Sequence, residues 1–283
     1  MATLLKGIEV VNGMKDELSA AAEALKQRGV SPCLGIVRIG ERPDDLSYEK
    51  GAVKRCEGIG LACRVFAFPA DIDNETFADE FSKINADPSV HGILVFRPMP
   101  KHIDEERIKR IIDPVKDVDC MSDTNMAKVF AGDETGYAPC TPSAVMEMLK
   151  HYGIGLKGKR VTLVGRSMVV GKPLAMLLLR EHATLTICHT RTVDLESECR
   201  RAEILIAAAG AAKMIKAPCV SQGAVVIDVG INVDEEGNLC GDVDFAGVEP
   251  LAGSITPVPG GVGTVTTSVL AKHTLAAAAT LAG

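Results

Sequence analysis

None of the nine cysteines forms a C-x-x-C pair, and their number is odd. The odd number excludes a fully paired disulfide framework, and the missing C-x-x-C pairs argue against a zinc site. Reduced thiols in a cytosol fit better, most of them as small core residues. No stretch of about 18 or more apolar residues offers a membrane span. The opening MATLLKGIEVVNGMKDELSAAAEAL turns charged too soon to hold the apolar core of a signal peptide. A cytoplasmic protein without a membrane partner is therefore expected. A basic excess is missing as well: 31 Lys and Arg stand against 37 Asp and Glu, for a formal net charge of −6. That argues against a nucleic-acid partner, which calls for a basic face. No block of like charge marks a disordered tail, and there is no internal repeat or low-complexity segment.

What the chain does have is short apolar runs at intervals. CLGIVRIG, LACRVFAF and GILVFRPMP fall in the first half, and RVTLVGR, TLTICHT, ILIAAAG and AVVIDVGIN in the second. Helix-length stretches with a 3.6-residue period separate most of them, over residues 11–28, 75–86, 142–152 and 170–181. Such alternation predicts an α/β protein, with parallel sheets covered by helices on both faces. The runs are nearly continuous in apolar character, as strands buried on both sides require. With 283 residues, 47% of them apolar, there is material for one large or two modest domains. The pattern breaks at AGDETGYAPCTPSAVMEML, where Thr141 and Pro142 read as the cap and first residue of a helix. It breaks again at LAGSITPVPGGVGTVT, before an Ala-rich last helix. The expected division is a first domain of residues 1–140 joined by 264–283, and a second of residues 141–263.

RVTLVGRSMVVGKPLAMLLL reads as a strand, a glycine turn and a helix. Gly165 ends the strand, and Gly171 and Pro173 open the helix. Such a junction turns unpaired N–H groups and the positive end of the helix dipole towards an anion, which suits phosphates. The spacing is G-x5-G rather than G-x-G-x-x-G, and an ordinary strand–helix turn reads the same way. The next strand narrows the choice. An NAD site uses an acid near the end of that strand to bind the ribose 2′-OH. Here the strand ends Cys188-His189-Thr190-Arg191-Thr192, with no acid. Arg166 and Arg191 suit a 2′-phosphate, which points to NADP and leaves NAD open. Plain exposure of both arginines is the competing reading. His189 reads as a packing or hydrogen-bonding residue rather than a proton carrier.

PCTPSAVMEML, VGRSMVVGKPLAMLL, TICHTRT, GAVVIDVGIN, GDVDF and ITPVPGGVGTVT stand in this order, preceded by GILVFRPMPKHID and IDPVKDVDCMSDTN. Together they resemble the methylenetetrahydrofolate dehydrogenase/cyclohydrolase family over nearly the whole chain. The resemblance implies a folate-side α/β domain and a Rossmann-like, doubly wound parallel-sheet domain for a nicotinamide cofactor, with the C-terminal helix returning to the first. It implies tetrahydrofolate derivatives as substrates and a homodimer joined through the cofactor domain. It implies two reactions: oxidation of 5,10-methylenetetrahydrofolate to the methenyl form, and hydrolysis of that product to 10-formyltetrahydrofolate. By position, Gly165, Arg166 and Ser167 would hold cofactor phosphates beside Gly171. Thr190, where the family usually has serine, would lie with Arg191 near the 2′-phosphate, and Ile231 near the nicotinamide. Tyr48 and Asp119 would be catalytic and substrate-binding residues, with Asp119 facing the pterin. A carboxylate there accepts paired N–H bonds; without the resemblance Asp119 reads as a turn residue. Pro259, Gly260 and Gly261 of PVPGGVG would bring backbone close to the substrate, which glycine permits; a plain strand–helix turn is the other reading. No metal is implied.

DLSYEKGAVKRCEGIG, residues 45–60, departs from the family. There the tyrosine is followed four residues later by the lysine that handles protons, assisted by a glutamine in a segment GILVQLPLP. Those positions here are Ala52 and Phe96. At about 100° per residue, Ala52, Cys56 and Ile59 fall within about 80° of Tyr48, whereas Lys50 and Lys54 fall at about 200° and 240°. The two lysines therefore read as solvated and no substitute. Arg55 returns to the tyrosine's face about 10 Å further along the axis, and an arginine stays charged. The expectation is an NADP-preferring methylenetetrahydrofolate dehydrogenase with weakened cyclohydrolase activity. One alternative is a fully bifunctional enzyme in which Arg97 or another lysine of the first domain takes over. The other is a non-catalytic folate- or nucleotide-binding regulator.

Overall fold

The computed structural model describes residues 2–283. They form two compact units: Met14–Cys140 with Thr267–Gly283, and residues up to Gly13 with Thr141–Thr266.

The unit that carries Tyr48 is built on a three-stranded parallel sheet in the order Ala62–Phe68, Cys33–Ile39, Gly92–Val95. Helices Pro43–Glu57 and Asn74–Ala86 make the crossovers that parallel strands need. The second is capped by Asp73, whose carboxylate accepts from Thr76 N at 2.9 Å. Its Phe77 and Phe81 enter one core with Val37, Ile93, Val95 and Ile108. Gly92–Val95 is buried throughout, as its apolar run implies. LACRVFAF is not: it lies at one edge of the sheet, and most of its side chains are exposed or half-buried. Gly92–Val95, at the other edge, is flanked by the segment around Asp117, with Ile93 N donating to Lys116 O. Two short helices, Glu105–Ile111 and Asp123–Ala131, bracket the segment that holds Asp119. The last helix, Val262–Leu281, lays Thr274 against Gly92, where an added Cβ would come within 2.8 Å of both Thr274 Oγ1 and a Val118 methyl.

The second unit is a six-stranded sheet, parallel throughout, in the order Thr3–Leu4, Ser254–Ile255, Val225–Asp228, Ile204–Ala207, Arg160–Val164, Thr184–Cys188. The chain winds one way from Arg160–Val164 to Thr184–Cys188 and the other way through Ile204–Ala207 and Val225–Asp228. This doubly wound order puts a switch point beside the end of Arg160–Val164, where open α/β sheets bind ligands. The opening residues, grouped in the sequence with the first domain, extend this sheet instead. Thr3 N donates to Gly253 O and Leu5 N to Ile255 O, both at 2.9 Å. The helix after the break spans Cys140–His151, so Pro142 sits in its first turn, where a missing N–H costs nothing.

Candidate functional site

Helix Pro43–Glu57 sets the first group. Ala52 and Cys56 are 0% exposed and Ile59 is buried, whereas Lys50 and Lys54 lie exposed on the far face. Tyr48 is half-buried on the inner side. Its ring meets Phe96 edge to face, with centroids 5.9 Å apart and planes at 86°. Phe96 leaves the end of strand Gly92–Val95, its N–H donating to Val37 O at 3.0 Å. The space that faces Tyr48 is thus occupied by an aromatic ring.

Arg97 follows and comes within 3.8 Å of Asp119, Nη2 to Oδ2, both side chains largely covered. Arg42 braces this corner, gripping Asp45 with two bonds of 2.9 and 2.7 Å and donating to Arg97 O at 3.3 Å. The KDVDC loop separates its two acids by role. Asp117, buried, accepts from Met121 N, Ser122 N, Ser122 Oγ and Asn125 Nδ2 at 2.6–3.0 Å and is fully used as a scaffold. Asp119 has Oδ1 fixed by Cys140 N at 2.8 Å and turns Oδ2 towards Arg97. His273 of the last helix ties down Val118 O at 2.9 Å. Lys116 serves elsewhere: its Nζ donates to Asn85 O and Asp87 O at 2.8 and 2.7 Å, before strand Gly92–Val95, at the end opposite Phe96. Burial pulls that ammonium below its usual range.

The second group lines the C-terminal edge of the six-stranded sheet. Val164 is in register with Cys188, and Gly165 N donates to Cys188 O at 2.9 Å, so the turns that follow the two strands emerge side by side. The first carries Arg166 and Ser167, the other Thr190 and Arg191, and all four are exposed. Gly165 adopts φ +136°, and a Cβ there would collide with the Ala208 carbonyl. Gly171 is equally crowded against the Gly165 carbonyl. This tightness brings the backbone close to the first turn of helix Gly171–Arg180, and Ser167 Oγ accepts from Val170 N at 3.1 Å. A cradle of this shape fits a diphosphate. His189 is spent on its own turn: its N–H donates to Thr192 Oγ1 at 2.8 Å and its Nδ1 accepts from Arg191 N at 3.0 Å.

Further along the same edge lie Ala208–Ala211, then Ile231, 67% exposed, then Pro259, Gly260 and Gly261. Gly260 takes φ +103°, and its carbonyl accepts from Gly7 N at 2.8 Å. Gly261 leaves no room for a Cβ beneath the Pro257 carbonyl. The sequence reading missed two buried acids here, Asp228 and Asp242, although GAVVIDVGIN and GDVDF both stood out. Burial pushes the Asp228 carboxyl up to about 6, the neighbouring Asp242 adding to it against three backbone N–H bonds. The signal available was an acid beside glycines: Gly230 and Gly241 have no space for a side chain against Asp242 and Asp228 respectively.

Residues 5–119 match the family model of the tetrahydrofolate dehydrogenase/cyclohydrolase catalytic domain, and residues 139–282 that of the NAD(P)-binding domain. A bifunctional protein FolD of Clostridioides difficile is 56% identical over 274 residues, covering 97% of this chain and 96% of its own. The bifunctional FolD dehydrogenase/cyclohydrolase of Campylobacter jejuni superposes with a TM-score of 0.96 at 38% identity over 99% of both chains. The Trypanosoma brucei enzyme, solved with NADP and an inhibitor, gives 0.92 at 34% identity over 99% of this chain and 98% of that one. The chain belongs to the tetrahydrofolate dehydrogenase/cyclohydrolase family.

Proposed function

We propose that this protein oxidises 5,10-methylenetetrahydrofolate with NADP, and that its cyclohydrolase step is weakened. The observation that carries the proposal is Ala52, fully buried four residues after Tyr48, with Phe96 against the tyrosine. When bound, the nicotinamide ring supplies the hydride acceptor. In this reading the Gly165–Gly171 turn holds the phosphates and Arg166 and Arg191 bind the 2′-phosphate beside Thr190. Asp119 orients the pterin through Oδ2, and Tyr48 and Phe96 give the folate an aromatic wall. NADP is supported by the absence of an acid in TICHTRT and by the cofactor named for the Trypanosoma brucei relative.

Hydride loss from the methylene bridge leaves a resonance-stabilised cation and removes no proton. It asks for proximity and alignment. Adding water and opening the ring asks for proton transfers, to which a placed acid or base contributes about 10²–10⁴. Arg97 is the cationic side chain beside Asp119, and an arginine does not give up its proton. The fully bifunctional reading is favoured by the name that the relatives carry. A homodimer through the cofactor domain belongs to the same proposal, and two exposed apolar side chains support it, Ile187 on the edge strand Thr184–Cys188 and Leu179 on helix Gly171–Arg180.

The test supplies 5,10-methylenetetrahydrofolate with NADP or NAD and separates the methenyl and 10-formyl products. We expect reduced NADP and accumulating methenyl compound, and methenyl compound added alone to disappear near the buffer rate. Fast enzymic hydrolysis returns the bifunctional reading. Stoichiometric binding without turnover returns a non-catalytic regulator.

A further inference from the structure

Asp242 is 0% exposed and fully engaged. Its Oδ2 accepts from Ala209 N at 2.6 Å and Gly210 N at 3.1 Å, and its Oδ1 from Ala211 N at 2.8 Å and Asn232 Nδ2 at 2.9 Å. One carboxylate thus gathers three successive N–H groups of the loop after strand Ile204–Ala207 and a side chain of the loop after Val225–Asp228. Asp228 secures Asp242 in turn. Its Oδ1 accepts from Asp242 N at 2.9 Å and Gly230 N at 3.0 Å, and its Oδ2 from Val243 N at 2.9 Å. Thr256 Oγ1 accepts from Asp228 N at 2.7 Å, which joins the segment leading into PVPGGVG.

Two consequences follow for the ligand side of this edge. The loop peptides are trans, and a trans peptide turns its C=O away from its N–H. With the N–H groups of 209–211 drawn to Asp242, the carbonyls of Ala208, Ala209 and Gly210 face the other way; that of Ala208 lies against Gly165, and those of Ala209 and Gly210 are left as acceptors. Ile231 is exposed between two anchored neighbours, Gly230 held by Asp228 and Asn232 held by Asp242. Such acceptors beside an apolar side chain suit a flat heteroaromatic ring that bears a primary amide.

We infer that Asp242, locked by Asp228, is a positioning residue that presents the Ala209 and Gly210 carbonyls and Ile231 to the carboxamide-bearing ring of the cofactor. This inference rests on the cofactor reading under Proposed function. Asp242 touches neither cofactor nor substrate in it; it acts through the two loops.

The experiment measures dissociation constants of the full-length protein for NADPH and for adenosine 2′,5′-bisphosphate, which lacks the nicotinamide. Asp242→Asn replaces an acceptor by an NH2 group facing N–H donors. It should weaken NADPH about tenfold and leave the fragment within about twofold. Asn232→Ala keeps the buried carboxylate and releases only the Ile231 loop, so it should weaken NADPH about threefold with the fragment unchanged. It also serves if Asp242→Asn does not fold. General loosening of the unit would weaken both ligands alike. Parallel weakening in Asn232→Ala, or NADPH binding unaffected in both variants, overturns the inference. Wild-type protein that binds neither ligand overturns the cofactor reading, and the inference with it.

Discussion

The Tyr48 and Phe96 rings meet edge to face at 5.9 Å, and Ala52 lies buried one helical turn after the tyrosine. A lysine placed at 52 would start from a fully buried Cβ, next to a Tyr48–Phe96 pair whose rings are only half-buried. Ala52→Lys alone should therefore cost about 1–3 kcal/mol in stability, the usual loss on overfilling a packed position. Ala52→Lys with Phe96→Gln supplies a hydrogen-bonding partner together with the charge, and the pair should be strongly non-additive. Hydrolysis of methenyltetrahydrofolate should rise in the double variant, with dehydrogenase activity changing less. Wild-type hydrolysis well above buffer that survives Lys50→Ala, Lys54→Ala and Arg97→Ala would show that Ala52 is no functional loss.

Asp119 has one oxygen committed to Cys140 N and the other turned outward to Arg97. Asp119→Asn keeps the shape and converts one acceptor into a donor. Opposing the pterin's own donors should cost folate affinity about 1–3 kcal/mol, the usual loss for an unpaired buried polar group. NADPH affinity should stay nearly constant. Calorimetry with a folate analogue checks this, and an unchanged folate affinity removes Asp119 from the substrate site.

The sequence made some of this legible and concealed the rest for physical reasons. Strands such as Gly92–Val95 and Ile204–Ala207 are continuous apolar runs because helices cover both faces. Ala62–Phe68 and Thr184–Cys188 look alike in sequence but lie at open sheet edges with exposed side chains, whereas the edge formed by Gly92–Val95 is flanked by the segment around Asp117. Thr3–Leu4 is two residues long, and no period can be read from two residues. At the candidate site, the face of Tyr48, Ala52 and Cys56 follows from helical geometry alone. Asp228 and Asp242 do not, because a buried acid and a turn acid are written with the same letter. Their partners are backbone N–H groups, which leave no residue-specific mark in the sequence.

Asp228 makes a prediction about stability and pH. Burial holds its carboxyl at about 6 in the fold against an ordinary 3.8. Between those values the folded protein keeps a proton that the unfolded chain has lost. The contribution is therefore complete below about pH 4 and is lost as pH climbs through 6, on the order of 3 kcal/mol in all. Urea unfolding of wild type and Asp228→Asn at pH 4 and pH 7 isolates it. The stability of wild type relative to the variant should fall between the two pH values by that order. A difference that does not move with pH would mean that the three N–H bonds keep Asp228 ionised throughout.

Arg166 and Arg191 stand on turns that leave adjacent strand ends, and both are exposed. A 2′-phosphate between them would carry up to two negative charges, and an arginine binds phosphate through paired N–H donors. The 2′-OH of NAD offers no such charge. Arg191→Ala should raise the KM for NADP by about tenfold or more and that for NAD by less than about twofold, with kcat nearly constant, because the lost contact is made equally in ground and transition states. Arg166→Ala should follow the same pattern if its guanidinium serves the 2′-phosphate. If it serves the diphosphate, which both cofactors share, the two KM values rise together. Added salt should erode the NADP preference of the wild type and leave NAD kinetics nearly flat, since exposed charges are screened over about 10 Å at 0.1 M. Equal losses with both cofactors in both variants would place neither arginine at the 2′ position and would remove this ground for reading NADP as the preferred cofactor.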